Sequence, residues 1–434
     1  MAVDTAPSAL AALVRRAAEA GEAAGLDAIG VATAEPFAGT RRDLEERRAA
    51  GLHGGMQFTY RNPARSTDPR ATLPSARALV AGARSYAGAP PEPVPGDRPQ
   101  GRVARYAWGD HYAALREGLD AVAAVLRDEG WKAVVLVDQN NLVDRASAER
   151  AGLGWYGKSS LLLLPGAGSW FVLGSVLTDA PLAPAAPEAV ADGCGACTRC
   201  VTACPTGAIV APGVVDARRC LAWIVQAPGP VPREWREAMD DRIYGCDDCQ
   251  DACPPNRVEL RRHRRADPAT SAVEEPEEPA GPADLTEPAV EEPDGSAWVD
   301  LLGLLAAEDT ALLERHGRWY IAGRDPRWIR RNALVALGNA ADPDDERVAA
   351  ALRGVLAGDD DLLAAHAAWA ARRLGRDDLL VALDPDAGPE VRVELASPAP
   401  SVRRPPDRPL GTPYLGPESP VVADTGPGSR EGTG

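Results

Sequence analysis

No stretch of the 434-residue chain holds the run of about 18 apolar residues that a bilayer-spanning helix requires. A positive charge balance is missing too. The formal net charge is −16, which argues against a general electrostatic grip on nucleic acid or on an anionic membrane. Any nucleic-acid contact is therefore expected to be local. Much of the excess acid falls between Glu274 and Asp294, so the remainder is less acidic than the total implies. An apolar leader is also lacking: Asp4 comes early and Arg15-Arg16 run into Ala-Glu, so no secretory signal is expected. The expected setting is a reducing cytoplasm, where clustered cysteines serve metal or redox chemistry sooner than disulfides. What is present is 45% apolar and 25% charged residues, the balance of an ordinary soluble globular protein, which selects no function. The length suits two or three domains of roughly 100 to 200 residues each.

From Pro7 to Gly25 the spacing of Leu10, Leu13, Val14 and Ala17 predicts an amphipathic helix, followed by a short strand at Leu26 to Val31. Ala78 to Ala83, Lys132 to Val137, Leu161 to Leu164 and Trp170 to Leu177 read as further strands. His111 to Glu129 reads as a helix, and Gly88 to Gly101 as a Pro/Gly-rich loop. Asp138 stands at the C-terminal end of its strand, the edge at which open α/β sheets hold ligands. The stretch Ala266 to Ser296 is rich in Pro, Glu and Ala and is expected to be a disordered acidic insert. Arg327 to Asn339, Glu346 to Leu356 and Asp361 to Leu374 are Ala/Leu/Arg-rich segments separated by short turns, a pattern that suits stacked antiparallel helical repeats. Asp384 to Gly434 is Pro- and Gly-rich and is expected to be mostly disordered.

All eight cysteines lie within one segment: Cys194-x2-Cys197-x2-Cys200-x3-Cys204-Pro205, then Cys220, then Cys246-x2-Cys249-x3-Cys253-Pro254. The first run has the bacterial ferredoxin spacing, in which three thiolates hold one cubane and the fourth, before proline, reaches the other. The second run has three cysteines, so a complete second site needs Cys220. The expected ligand sets are Cys194, Cys197, Cys200 and Cys253 for one [4Fe-4S] cluster, and Cys204, Cys220, Cys246 and Cys249 for the other. Two zinc sites would also use eight thiolates, but zinc ribbons use paired C-x2-C knuckles instead of three consecutive ligands and Cys-Pro.

The double-cluster segment is preceded by VLVDQNNLVDRASAERAGLGWYGKSSLLLL (135 to 164) and followed by RDPRWIRRNALVALGN (324 to 339). Upstream lie GLDAIGVATAEPF (25 to 37) and GGMQFTYRNPARSTDPRATLPSARALV (54 to 80). In this order the strings resemble the epoxyqueuosine reductase family over about residues 10 to 375, the acidic insert excepted. The resemblance implies a cobalamin-dependent enzyme that reduces the epoxide of epoxyqueuosine, at the wobble position of certain tRNAs, to the alkene of queuosine. The reaction takes two electrons and protonation of the departing oxygen, with clusters passing electrons singly from an external low-potential donor.

Asp138 matches the family's general acid. After it this chain departs from the family pattern: Gln139-Asn140-Asn141-Leu142-Val143-Asp144-Arg145 stands where many relatives carry a proline and a Glu-Arg pair, with Asp144 in the place of the glutamate. No Asp-x-His-x-x-Gly string supplies a lower-axial histidine. This agrees with the base-off cobalamin that the family, like reductive dehalogenases, is expected to bind. The resemblance implies cofactor contacts from Tyr60, Arg105, Asp138, Lys158, Ser159 and Ser160, with Gly152, Gly154 and Gly157 admitting a flat macrocycle.

Two basic patches are candidates for tRNA: Arg257, Arg261, Arg262, Arg264 and Arg265, and the set Arg324, Arg327, Arg330 and Arg331, interleaved with Trp319, Tyr320 and Trp328. The expected architecture is α+β and multidomain. It comprises an α/β cobalamin-binding domain (1–182), a ferredoxin-like double-cluster domain (183–262), an acidic insert (263–297), HEAT-like helical repeats contacting the tRNA anticodon region (298–383) and a tail (384–434). A monomer without membrane contact is expected. The rival readings are a corrinoid reductase of this build with another substrate, and a non-catalytic electron-transfer or tRNA-binding protein.

Overall fold

A computed structural model of the chain describes residues 7–58, 60–89, 91, 93, 98–184, 190–266, 296–383 and 386–402. Most of the expected acidic insert, and the tail beyond residue 402, lie outside the described residues. No helix among the described residues is long and apolar enough to cross a membrane.

The N-terminal part is built on a four-stranded sheet ordered Ala28–Thr33, Ala78–Ser85, Phe171–Thr178, Ala133–Val137. Every neighbouring pair is antiparallel. The expected placement of Asp138 at the ligand edge of an open α/β sheet is corrected, because that edge is a property of parallel strands. Asp138 does end the edge strand Ala133–Val137, but its placement follows from the antiparallel pairing with Phe171–Thr178.

Side chains alternate between the two faces. Ala78 and Val80 join Leu115, Leu119, Val122 and Leu126 under the helix His111–Asp128. Leu79, Ala81 and Ala83 point the other way, toward Leu142, Ala146 and Leu153. Gly82 and Gly174 face each other in register. A Cβ on either would come within 3 Å of Leu119 (2.9 and 2.7 Å). The paired glycines let the helix seat closely on the sheet.

A second sheet joins Gln100–Val103 to Arg242–Tyr244, parallel, and to Trp298–Asp300, antiparallel. Its strands come from three segments that the sequence reading assigned to separate domains. The associated core is also shared, running from Val103, Leu221, Met239 and Tyr244 to Leu334, Leu337 and Trp369. The cysteine segment therefore has no apolar core of its own.

The C-terminal helices Arg327–Ala340, Glu346–Leu356 and Asp361–Arg373 pack against one another. The expectation of disorder from Asp384 onward is corrected for residues 386–402, which include the helix Pro389–Ala396. Its first turn is capped by the Asp361 carboxylate, which accepts from Glu390 N–H (2.8 Å) and Val391 N–H (3.2 Å). Glu394 is 3% exposed and is paired with Arg233, Arg236 and Arg372. Pro/Gly content concealed this helix because long-range ion pairs hold it.

Arg331 ties the helical part to the cysteine segment. It is 1% exposed, and its guanidinium donates to the carbonyls of Ile224 (3.1 Å), Ala227 (2.9 Å) and Gly229. Asn332 adds bonds to the carbonyls of Val225 (2.7 Å) and Ile243 (3.0 Å). Arg331→Met should leave several buried carbonyls unpaired, at about 1–3 kcal/mol each. Denaturant unfolding should show a loss of about 3 kcal/mol or more, whereas Arg330→Met, on the half-exposed side of the same helix, should stay near wild type.

Candidate active site

Asp138 follows the strand Ala133–Val137 with φ 50°, a left-handed conformation that Asp tolerates better than most residues. This bend turns the chain into the loop that leads to the helix Asp144–Arg150. The carboxyl of Asp138 is open to solvent on one side, and the protein around the rest pushes its pKa upward by desolvation. Burial holds the Asp144 carboxyl well above its ordinary range, the Asp138 charge adds to this, and Arg145 opposes it. Burial keeps the hydroxyls of Tyr112 and Tyr86 protonated; Asp138 is the next cause at Tyr112, and Asp247 at Tyr86. The Arg145 guanidinium donates to the Ser160 carbonyl (3.2 Å) and counters the rise at Tyr86, Tyr112 and Tyr156.

The eight thiols are all free and fall into two groups by mutual influence. Burial first, then Cys200, Cys194 and Cys197, push the Cys253 thiol up to about 11. Burial, then Cys246, Cys220 and Cys204, hold Cys249 well above the usual thiol range. The division is the one the sequence spacing implies. The groups differ in setting. Gly193, Gly195, Ala196, Thr198 and Arg199 around the first group are exposed. Leu221, Tyr244, Gly245, Asp248 and Gln250 around the second are buried. The first is the outer tetrad and the second the inner.

Local chemistry holds the inner tetrad. Cys220 stands at the N-cap position of the helix Leu221–Ile224, its side chain free of any capping bond. The strand Arg242–Tyr244 delivers Cys246 through Gly245, whose φ of 73° and contact with Ala104 leave no room for a side chain. Arg242 forms a buried pair with Asp248 (2.6 Å), which fixes the turn between Cys246 and Cys249. Asn256 accepts from Ser169 N–H (2.6 Å) and donates to the Gln250 carbonyl (2.9 Å), binding the turn before Cys253 to the sheet domain. The inner tetrad reaches the Asp138 side through the tyrosines: Cys249 and Asp247 act on Tyr86, Tyr86 and Asp138 on Tyr112.

The residues expected at a cofactor divide. Tyr60 lies in the loop beside His53, with ring centroids 5.6 Å apart. That loop packs on the Cys220 segment, since Trp223 Nε1 donates to the Gly54 carbonyl (2.8 Å). Lys158 donates to the Gly195 carbonyl (2.7 Å), next to Cys194. Ser160, at φ 64°, closes the turn of the hairpin Trp155–Tyr156 and Leu162–Leu163. Arg105 is buried, paired with Asp247 (3.2 Å) and Asp251 (2.9 Å), and stacked on Trp108 and Trp170. The glycines are explained by the hairpin, because a Cβ on Gly154 would lie 2.0 Å from the Leu163 oxygen and one on Gly157 2.3 Å from the Leu163 side chain. A cavity of about 180 Å³ lies beside Cys246 and Arg105, and Asp138 is not among its lining residues. It is smaller than the roughly 300 Å³ at which small-molecule sites begin.

The arginine face also divides. Arg331 is buried on carbonyls and is removed from the expected RNA contacts. Arg324 and Arg327 are exposed and Arg330 is half-buried; Arg327 pairs with Asp325 (2.6 Å) and Arg330 with Asp309 (2.5 Å). Trp319 and Trp328 are buried, whereas Tyr320 is 53% exposed and stacks near Trp223 (6.4 Å). Arg264 and Arg265 have side chains outside the described set. Tyr86, Tyr112 and Asp247 were missed in sequence. Tyr112 lies in the helix expected at His111 to Glu129, and neither it nor Tyr86 carried a local signal.

A family model described as a 4Fe-4S double cluster binding domain matches residues 193–256, and one described as epoxyqueuosine reductase QueG, DUF1730, matches residues 66–139. The epoxyqueuosine reductase of Bacillus cereus is 32% identical over 372 residues, spanning 83% of this chain and 88% of its own. That of Escherichia coli is 37% identical over 324 residues, 73% and 78% of the two chains. A crystal structure of epoxyqueuosine reductase with an epoxyqueuosine-modified tRNA-Tyr stem loop superposes with TM-score 0.73 at 29% identity, covering 89% of this chain and 97% of that one. A Bacillus subtilis epoxyqueuosine reductase structure, with its aspartate-bearing catalytic loop swung out of the active site, gives TM-score 0.71 at 28% identity, covering 89% and 98%. With a double [4Fe-4S] cluster domain at residues 193–256 and this extent of agreement, the chain belongs to the epoxyqueuosine reductase family.

Proposed function

We propose that the chain reduces the epoxide of epoxyqueuosine in tRNA to the alkene of queuosine, with two [4Fe-4S] clusters and base-off cobalamin. The observation that carries this reading is a chain of charge effects between the two groups: Cys249 of the inner tetrad acts on Tyr86, and Tyr86 and Asp138 both act on Tyr112. Two buried tyrosines thereby link the proton donor to the electron source.

Cys194, Cys197, Cys200 and Cys253 would hold the outer cluster, and Cys204, Cys220, Cys246 and Cys249 the inner. Two features support this. The thiols divide four and four by mutual influence, and the segment that carries them matches a double 4Fe-4S cluster family model. Tyr60, Lys158, Ser159, Ser160 and Asp138 would hold the corrinoid. Near Tyr60 and Lys158, Nδ1 of His53 and the indole N–H of Trp155 are buried without partners, polar atoms that an amide-bearing macrocycle rim can satisfy. When bound, the corrinoid supplies a nucleophilic, strongly reducing centre, and the clusters supply electrons one at a time.

The reaction consumes two electrons and two protons and releases the epoxide oxygen as water. Asp138 gives a proton to the departing oxygen, a task for which its raised pKa suits it. Arg145 is the cation that opposes the rise at Asp144, Tyr112 and Tyr86. We read the C-terminal helices as HEAT-like repeats that offer Arg324, Arg327 and Arg330 to tRNA phosphates, with exposed Tyr320 available for stacking. The enzyme would work in the cytoplasm as a monomer with an external low-potential donor.

Asp138→Asn should bind modified tRNA normally and lose on the order of 10²-fold or more in turnover. Unchanged turnover in an anaerobic assay with cobalamin and modified tRNA would remove Asp138 from the mechanism. Because the protonated carboxyl is the active form, wild-type turnover should decline as pH rises through the elevated Asp138 pKa, and the variant should lack that limb. Cys220→Ala should cut iron from about eight to about four atoms per chain. Full iron retention would show that Cys220 is not a ligand.

A further inference from the structure

We propose that the exposed face of the helix Pro254–Ala266 is the docking surface for the electron donor, and that the donor is an acidic redox protein. This rests on reading the cysteines as two cluster sites. If electrons pass through both tetrads toward Asp138, they must enter at the outer one, since the inner is enclosed by buried residues. The helix begins directly after the outer-tetrad residue Cys253, and Arg257 N–H bonds the Cys253 carbonyl (3.1 Å). Arg257, Arg261 and Arg262 are exposed on it, and Arg199 is exposed between Cys197 and Cys200. Arg262 pairs with Glu259 (3.2 Å), while Arg199, Arg257 and Arg261 have no carboxylate partner among the described residues. Val258, 38% exposed, gives the face an apolar centre.

In a chain of net charge −16, a basic patch is an exception that selects an acidic partner by charge complementarity. RNA fits this face less well, because the substrate base must reach Asp138, which the sheet domain carries at the end of the strand Ala133–Val137. In each encounter one electron leaves the reduced donor and enters an oxidised cluster, with no bond made or broken. Two encounters provide the two electrons that one turnover consumes.

The test uses the full-length, cluster-loaded protein and a reduced acidic flavodoxin as probe, following cluster bleaching by stopped flow without tRNA. At low ionic strength the wild-type rate should fall steeply as salt is added. The triple variant Arg257→Glu, Arg261→Glu, Arg262→Glu should be reduced at least tenfold more slowly and lose most of that salt dependence. Single Arg261→Glu should show a smaller slowing in the same direction. Iron content and bleaching by dithionite, which needs no docking face, should match wild type. They report separately whether the clusters are present. Flavodoxin reduction of the triple variant at the wild-type rate would overturn the proposal. So would loss of tRNA stem-loop affinity with donor reduction intact, which would make the helix an RNA face. Restoration of the wild-type salt profile in the triple variant by deleting residues 267–295 would overturn it too, by making the chain's own acidic stretch the determinant.

Discussion

Four thiols held close together in a buried setting resist ionisation, because each thiolate would be poorly solvated and repelled by its neighbours. The inner group of Cys204, Cys220, Cys246 and Cys249 is in that position, with the Cys246 and Cys249 thiols held far above their ordinary range by burial. A cationic metal centre reverses the balance, since it ligates thiolate and neutralises the repulsion. Much of the surrounding structure holds this unfavourable gathering together. The Arg242–Asp248 pair fixes one turn, Asn256 another, and Arg331 with Asn332 grips the segment that follows Cys220.

The same constraint explains why the molecule does not divide cleanly. A ferredoxin-like segment has little apolar content between its ligands, so it borrows a core. Leu221, Met239 and Tyr244 are buried against the C-terminal helices, and the strand Arg242–Tyr244 pairs with Gln100–Val103 of the N-terminal part. Arg105 shows the cost of this joining in interpretation. Arg105, expected at the cofactor, is the cation that compensates Asp247 and Asp251 beside the inner cysteines.

The antiparallel sheet has one task in the site, which is to end the strand Ala133–Val137 where Asp138 must turn. The left-handed backbone there and the desolvated carboxyl beyond it are properties of the loop's surroundings. In the first turn of the next helix, burial and the Asp138 charge raise the Asp144 carboxyl, and Arg145 opposes that rise.

By itself the sequence carried the ferredoxin spacing that marks residues 193–256 as a double-cluster domain, and a count of four ligands per cluster sets the expected place of Cys220. It also determined the main strands and helices, through their periodicity, and marked Asp138 through the strand end and the family-like string around it. Only the tertiary structure decided which arginines are free. Arg327, Arg330 and Arg331 share a spacing that reads as one basic face, yet the carbonyls of residues 224–229 draw Arg331 inside. Only it revealed Tyr86, Tyr112 and Asp247, which meet from distant parts of the chain, and the helix Pro389–Ala396, which is held by ion pairs to Arg233 and Arg236. Local spacing reports on bonds formed along a chain, whereas burial and charge compensation depend on segments that sequence distance keeps apart.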